Sequence, residues 1–210
     1  MSPRGYRLGK RVESVEQTRE RILAAARDLL VRNGYRSMSL EEVARVADVA
    51  RATIYYQFGS KAGLLEALVA DIERRAGQAA VVDAVEVSDP VAALRQAFAM
   101  GCRFWAAEHP LVQRLTGLAA VDDDVRRVLG EVEGHRLPLL TRLVERLSAA
   151  GRLSPDISPD RALDVLWVLS SFGAFDQLFA ERHLTVAAAS DVLADVAVAA
   201  LLGDQGVFSR

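Results

Sequence analysis

The sequence predicts an all-α fold of about nine helices, with a small three-helix N-terminal head and a larger helical body, on three observations. Apolar residues recur at spacings of three and four through most of the chain, as at Ile22, Ala25, Ala26, Leu29 and Leu30. Ser, Asp, Pro and Gly punctuate these segments at positions that start and stop helices. No segment alternates with period two for long enough to form a strand.

Residues 1–14 are basic, contain Pro3, Gly5 and Gly9, and show no apolar period, so a flexible arm is expected there. A first helix follows from Val15 to Asn33, stopped by Gly34 as a left-handed cap. Ser39 and Glu42 have the spacing of a capping box and start a second helix with Val43, Ala44, Val46 and Ala47. A third is expected from about Ala50 to Gln57, broken by Gly59, and Ser60 caps a fourth with a Leu64, Leu65, Leu68, Ile72 stripe. Gln78 to Val87 is small and acidic, and Ser88-Asp89-Pro90 restarts the chain with Pro90 in the first turn of a fifth helix. That helix carries Val91, Leu94, Phe98, Cys102 and Trp105 on one face and ends at His109-Pro110.

A sixth helix is expected from Leu111 to about Ala120. Asp122 to Asp124 open a seventh, where their charge suits the helix dipole, and Gly134 and Pro138 predict a kink or break inside it. Ser158-Pro159-Asp160 start an eighth, apolar nearly all round between Leu163 and Phe179. Thr185 caps a ninth that runs to Leu202-Gly203, with Ala188, Val192, Val196, Ala199 and Ala200 in a line of small residues. An apolar helix beside a small-residue stripe predicts a homodimer through these last two helices. The alternative is a monomeric core hairpin.

Composition limits the function. The single cysteine, Cys102, cannot form an internal disulfide and lacks partners for a zinc site. No apolar run approaches the roughly 20 residues of a membrane span, and no apolar segment follows the basic N-terminus as in a secretory signal. A cytoplasmic protein without membrane attachment is expected. The net charge of −2 conceals a division: residues 1–61 hold 12 Lys and Arg against 7 Asp and Glu, a balance of +5, and the remainder holds 14 against 21, or −7. A basic head on an acidic body suits a double-stranded DNA partner.

The stretch from Ser39 to Lys61 has the form of a helix-turn-helix, and it sets the expected boundary: 1–61 for DNA binding, 62–210 for ligand binding and dimerisation. In that motif the first helix braces on the backbone and the start of the second enters the major groove. Ser39 then caps the bracing helix, and Arg51, Ala52 and Thr53 face base edges. Arg51 can donate two parallel bonds to guanine, and Ala52 or the Thr53 methyl can pack on a thymine methyl. Tyr55, Tyr56 and Gln57 follow toward sugar-phosphate or a base edge. Phe58 reads as core.

These residues resemble the tetracycline-repressor (TetR) family of bacterial transcription regulators. The resemblance rests on the helix before Gly34-Tyr35, the Ser39 helix with Val43-Ala44, the Thr53 to Phe58 run, and Gly59-Ser60-Lys61 before Leu64-Leu65. It covers about 45 residues, and the rest agrees in architecture only. Three positions depart from the family pattern. Asp48 stands where a turn glycine is usual, Gln57 replaces a frequent His, and Ala50 replaces a capping residue. The resemblance implies that Lys61 contacts a phosphate, that the protein binds a pseudo-palindromic operator, and that a small hydrophobic effector binds in the body and releases it.

The body shows no enzyme and no cofactor or metal site. Cys102 and His109, read on one helix, stand about 10.5 Å apart, too far for thiol activation. Glu131 and His135 have metal-pair spacing but no third ligand. The aromatic and polar residues Phe98, Cys102, Trp105, His109, Leu115, His135, Trp167, Phe172, Phe175 and Asp176 are the candidate effector-binding set. Core filling is the alternative for each. Two rival functions remain: a DNA-binding regulator with a filled body and no effector, and an all-helical enzyme with a vestigial head.

Overall fold

The structure, a computed structural model, describes residues 3–75 and 78–202, with side chains described for 15–75 and 80–202. Among the described residues there are eleven α-helices, one π-helical turn and no strand. The chain divides into two compact units: Met1–Ile72 with Gln113–Leu129, and Glu73–Val112 with Gly130–Arg210. The first unit therefore takes in most of the fourth helix and a later segment, where the sequence suggested a boundary after residue 61.

In the first unit, α1 spans Pro3–Asn33, longer than the Val15–Asn33 expected. Pro3 fits a first turn, and once a helix is nucleated each further residue adds a hydrogen bond, which offsets the roughly 1 kcal/mol cost of each of Gly5 and Gly9. The expected arm is thus helical from Pro3; Met1, Ser2 and the arm's side chains lie outside the described residues. Gly34 follows at φ 78°, the left-handed cap expected of it. Helix α2 is Leu40–Ala47 and α3 is Arg51–Phe58. Asp48 closes α2 at φ 52°, ψ 55°, a conformation Asp tolerates better than most residues with a Cβ. Helix α4, Lys61–Arg75, buries Leu64, Leu65, Leu68, Val69 and Ile72.

The second unit holds the corrections to the expected helix count. Gln78–Val85 forms a helix, α5, where none was expected. Its end buries Ala84 and Val85, and the Arg146 guanidinium donates to the carbonyls of Val85, Val87 and Ser88, which a short helix would otherwise leave open. Helix α6 is Pro90–Ala107, started by Asp89 accepting from the Ala92 N–H at 2.8 Å. His109 opens the next helix, α7 (His109–Ala119), with Pro110 in its first turn; it does not end α6. Helix α8, Asp123–Ala149, runs unbroken past Gly134 and Pro138, because a proline removes only one hydrogen bond from a long ladder.

The expected eighth helix is divided. Helix α9, Pro159–Leu169, ends at Ser170, and Ser171 caps a new helix, α10 (Phe172–Asp176), by accepting from the Ala174 N–H at 3.2 Å. The axis turns by 50° there, and a π-helical turn, Gln177–Glu181, follows. The Ser171 hydroxyl makes the new start by taking the Ala174 N–H while donating to the Val168 carbonyl at the end of α9. Helix α11, Val186–Leu202, begins where Thr185 Oγ1 accepts from the Ala188 N–H. Gly203, read as its stop, lies outside the described residues. The unit's core joins Leu94, Phe98, Leu143, Leu166, Phe175, Ala197 and their neighbours from α6, α8, α9, α10 and α11. Among the described residues no single helix is long and apolar enough to cross a membrane.

Candidate functional site

In the first unit α3 has two faces. Ile54 and Phe58 are buried, and the Arg19 guanidinium lies over the Phe58 ring at 4.9 Å, so Phe58 belongs to the core as expected. Arg51, Ala52, Tyr55 and Tyr56 are exposed, with Thr53 and Gln57 half-buried. Tyr56 is 92% exposed and takes no part in the core. Ser39 accepts from the Glu42 N–H at 3.1 Å, which commits its hydroxyl to starting α2. Ala50 offers no side-chain cap to α3.

Arg51 is already engaged. Its Nη2 donates to Tyr55 Oη at 2.8 Å, its Nη1 pairs with Glu41 Oε1 at 2.6 Å, and its guanidinium lies over the Tyr55 ring. The bond to Tyr55 is the main cause of a proton held more firmly than an ordinary arginine's. These contacts are solvated and weak, of the order that exposed pairs contribute, so they hold the guanidinium only lightly. Glu41 has no helical-spacing relation to Arg51 and was not foreseen in the sequence.

Lys61 is turned back onto its own unit. Its Nζ donates to the Arg36 carbonyl at 3.3 Å and stands 4.4 Å from the centre of the Tyr35 ring. Burial pulls its amine below the ordinary lysine value, while Asp122 and Asp124 oppose that pull. Tyr35 beside it is pushed up to about 12, first by burial and then by the same two carboxylates. Arg36 reaches the Val121 carbonyl at 2.6 Å, and Arg127 pairs with Glu66 at 2.6 Å, so the start of α8 is bound to α4 and to the turn after α1. A Cβ on Gly63 would come within 2.1 Å of the Phe58 carbonyl, so only glycine lets α4 start this close to the end of α3. A single sequence carries no sign of that requirement.

In the second unit a cavity of about 110 Å³ opens among the end of α4, α5, α6, α8, the end of α9, α10 and α11. Phe98, Cys102, Trp105, His135 and Phe175, five of the ten sequence candidates, line it. The other five do not. His109 Nε2 and Asp176 Oδ1 form a 2.6 Å pair beside the rings of Phe172 and Phe179. Trp167 lies under the Arg136 guanidinium at 4.6 Å. Leu115 is buried in the first unit, a correction to the candidate set: the division of the chain falls within α7, after Val112.

The cavity wall is mostly apolar, with Val81, Val85, Leu139, Leu140, Leu143 and Leu193 beside the aromatic rings. Its polar stretch is Glu73, Glu133, His135, Arg136, Ser170 and Ser171. Trp105 Nε1 donates to the Ser170 carbonyl and Arg136 Nη1 to the Ser170 hydroxyl, both at 3.2 Å, which holds the bend between α9 and α10 open toward the cavity. Arg136 also pairs with Glu133, and His135 Nδ1 lies 3.1 Å from Glu73 Oε1. Burial lowers the Arg136 value against the opposing effect of Glu133. Burial likewise pushes the Cys102 thiol up to about 11, which keeps it protonated and unreactive near neutral pH. Arg136 and Glu133 were not sequence candidates; their spacing of three on α8 is the only sign of them.

On α11 Ala189, Leu193, Ala197 and Leu201 are buried while Val192 and Val196 are 42% and 48% exposed. Val168 on α9 is 62% exposed. This is the face the sequence marked for a second copy.

Residues 22–68 match the family model described as bacterial regulatory proteins, tetR family. Over 138 residues the chain is 35% identical to the HTH-type transcriptional regulator AlkX of Mycobacterium tuberculosis; the aligned stretch is 63% of this chain and spans 61% of AlkX's length. It is 28% identical over 156 residues to the HTH-type transcriptional repressor NicS of Pseudomonas putida, covering 71% of this chain and 72% of NicS. Among solved structures, NalD of Pseudomonas aeruginosa, the secondary repressor of the MexAB-OprM multidrug efflux pump, aligns with a TM-score of 0.73 and 25% identity over 91% of this chain and 99% of NalD. The fatty acid degradation regulator FadR of Bacillus halodurans shares the fold at a TM-score of 0.73 and 19% identity, over 90% of this chain and 97% of FadR.

Proposed function

We propose that this chain, which belongs to the tetR family of bacterial regulatory proteins, is a cytoplasmic transcriptional repressor that binds an operator in double-stranded DNA and is released by a small hydrophobic effector. The observation that carries the reading is α3: one short helix anchored by Ile54 and Phe58 and presenting Arg51, Ala52, Tyr55 and Tyr56 to solvent. Side chains of these types read base edges and phosphates when such a helix lies in the major groove. Arg51 exchanges Glu41 and Tyr55 for a base edge, and Lys61 exchanges the Arg36 carbonyl for a phosphate.

Binding as a homodimer is supported by the exposed valines of α9 and α11, which a second copy would cover. Two heads about 34 Å apart then read successive major grooves of a pseudo-palindrome. The effector reading is supported by the cavity, whose wall includes Glu73 near the end of the same α4 that begins at Lys61. An effector that binds the form unfit for DNA more tightly releases the operator by that difference in affinity.

The test is footprinting on DNA flanking the gene, followed by release from the protected site during titration with small hydrophobic compounds. A short symmetric footprint is expected. Its absence on any flanking DNA would remove the repressor reading, and a footprint unaffected by every compound would favour a regulator without an effector.

A further inference from the structure

We propose that the cavity of the second unit takes an uncharged, aromatic or otherwise apolar molecule bearing one hydrogen-bond acceptor, and discriminates against carboxylates and ammonium ions of the same size. The proposal rests on the reading of this cavity as an effector site. Its apolar wall, with Phe98, Trp105 and Phe175, gives room on the scale of one ring: the cavity is about 110 Å³ and opens to solvent, where a substituent can extend, and enclosed apolar cavities of roughly 150 Å³ bind benzene.

The charge class follows from the polar stretch of the wall. Its four charged or titratable side chains are already matched in pairs, Arg136 with Glu133 and His135 with Glu73. The Arg136 side chain is only 17% exposed and its guanidinium is also held by Ser170 and lies over Trp167. A carboxylate entering here must take Arg136 from Glu133 and leave that carboxylate without its counter-charge in a partly buried place, and an ammonium ion must do the reverse. The unmet need in this wall is smaller: Arg136 Nε carries an N–H that is buried without a hydrogen-bond partner. Solvent does not reach this N–H as the side chain stands; a small turn of the guanidinium brings it to a neutral acceptor, which displaces no charge.

The test compares three one-ring probes on the full chain, acetophenone, benzoate and benzylammonium, by calorimetry and ligand-observed NMR near pH 7.5. Acetophenone is expected to bind at least tenfold more tightly than either ion. Glu133→Gln, which leaves the Arg136 charge without its partner, should raise benzoate affinity at least tenfold and change acetophenone affinity less than threefold. Benzoate binding the wild-type protein as tightly as acetophenone, or a benzoate affinity unmoved by Glu133→Gln in a folded variant, overturns the proposal. So does failure of all three probes to bind protein that melts cooperatively. Acetophenone binding that leaves the operator complex intact would instead count against effector-driven release while the ligand class stands.

Discussion

The two units offer their chemistry in opposite senses. In the first, the groups available to a partner project outward from a single eight-residue helix, and consecutive residues of α3 supply nearly all of them. In the second, the candidate groups face inward from seven helices, and residues as far apart as Glu73 and Leu193 line one cavity. An outward-facing site can be written into one stretch of chain, because neighbours in sequence remain neighbours on the helix surface. An inward-facing site exists only after helices have packed.

That contrast can be broken or sharpened by substitution. Phe175 is fully buried and lines the cavity, so Phe175→Ala should cost about 3–5 kcal/mol of unfolding free energy. Tyr56→Ala, at a 92% exposed position, should leave stability within about 0.5 kcal/mol and weaken DNA binding. Urea unfolding of both variants checks this; equal losses would erase the distinction between the two helices' roles.

A pH effect of intermediate size separates the units next. The Cys102 thiol is pushed by burial from an ordinary 9.0 to about 11 in the folded chain. The unfolded chain therefore releases this proton first, so the thiol's contribution is whole below about pH 9 and is lost as pH rises to about 11, on the order of 2 kcal/mol. Unfolding free energy measured across that window should fall less steeply in Cys102→Ala than in the wild type. Tyr35, in the other unit, contributes the same sign between 10 and about 12.

Gly63→Ala should cost about 1–3 kcal/mol, since the added methyl meets a backbone carbonyl that cannot move without shifting α3 or α4. Hydrogen exchange should show the loss in α2 to α4 and leave the amides of α11 protected. Smallest in stability terms are changes at Arg51 and Lys61, the proposed DNA contacts. Arg51→Ala should relax preference at one base pair by about 1–3 kcal/mol. Lys61→Ala should lower the slope of log affinity against log salt by about one, without changing sequence preference. An unchanged slope would mean that Lys61 stays on Tyr35 and Arg36 in the complex as well.

Much of the fold was legible in the sequence, and the reasons are local. Ser39, Asp89, Ser158 and Thr185 each accept the backbone hydrogen bond that their spacing predicts, and Asp48 takes the left-handed turn assigned to it. Caps and turns are decided within four or five residues, so composition at one place suffices. Elements that depend on distant partners were missed. Helix α5 is closed by Arg146, some sixty residues later, and the division between α9 and α10 is held by Trp105 and Arg136. The same limit explains the candidate set in the body: His109, Trp167 and Asp176 resembled cavity residues in type but found partners elsewhere.

By itself the sequence determined the all-helical class, the starts and stops of most helices, and the core side of α3 at Phe58, because each rests on periodicity or on a hydrogen bond between near neighbours. The tertiary structure alone decided that the start of α8 joins the head, that Glu41 and Tyr55 hold Arg51, and that Arg136, Glu133 and Glu73 share a wall with Phe98 and Phe175. Those juxtapositions come from packing between segments tens of residues apart, and no local pattern carries the distance between them.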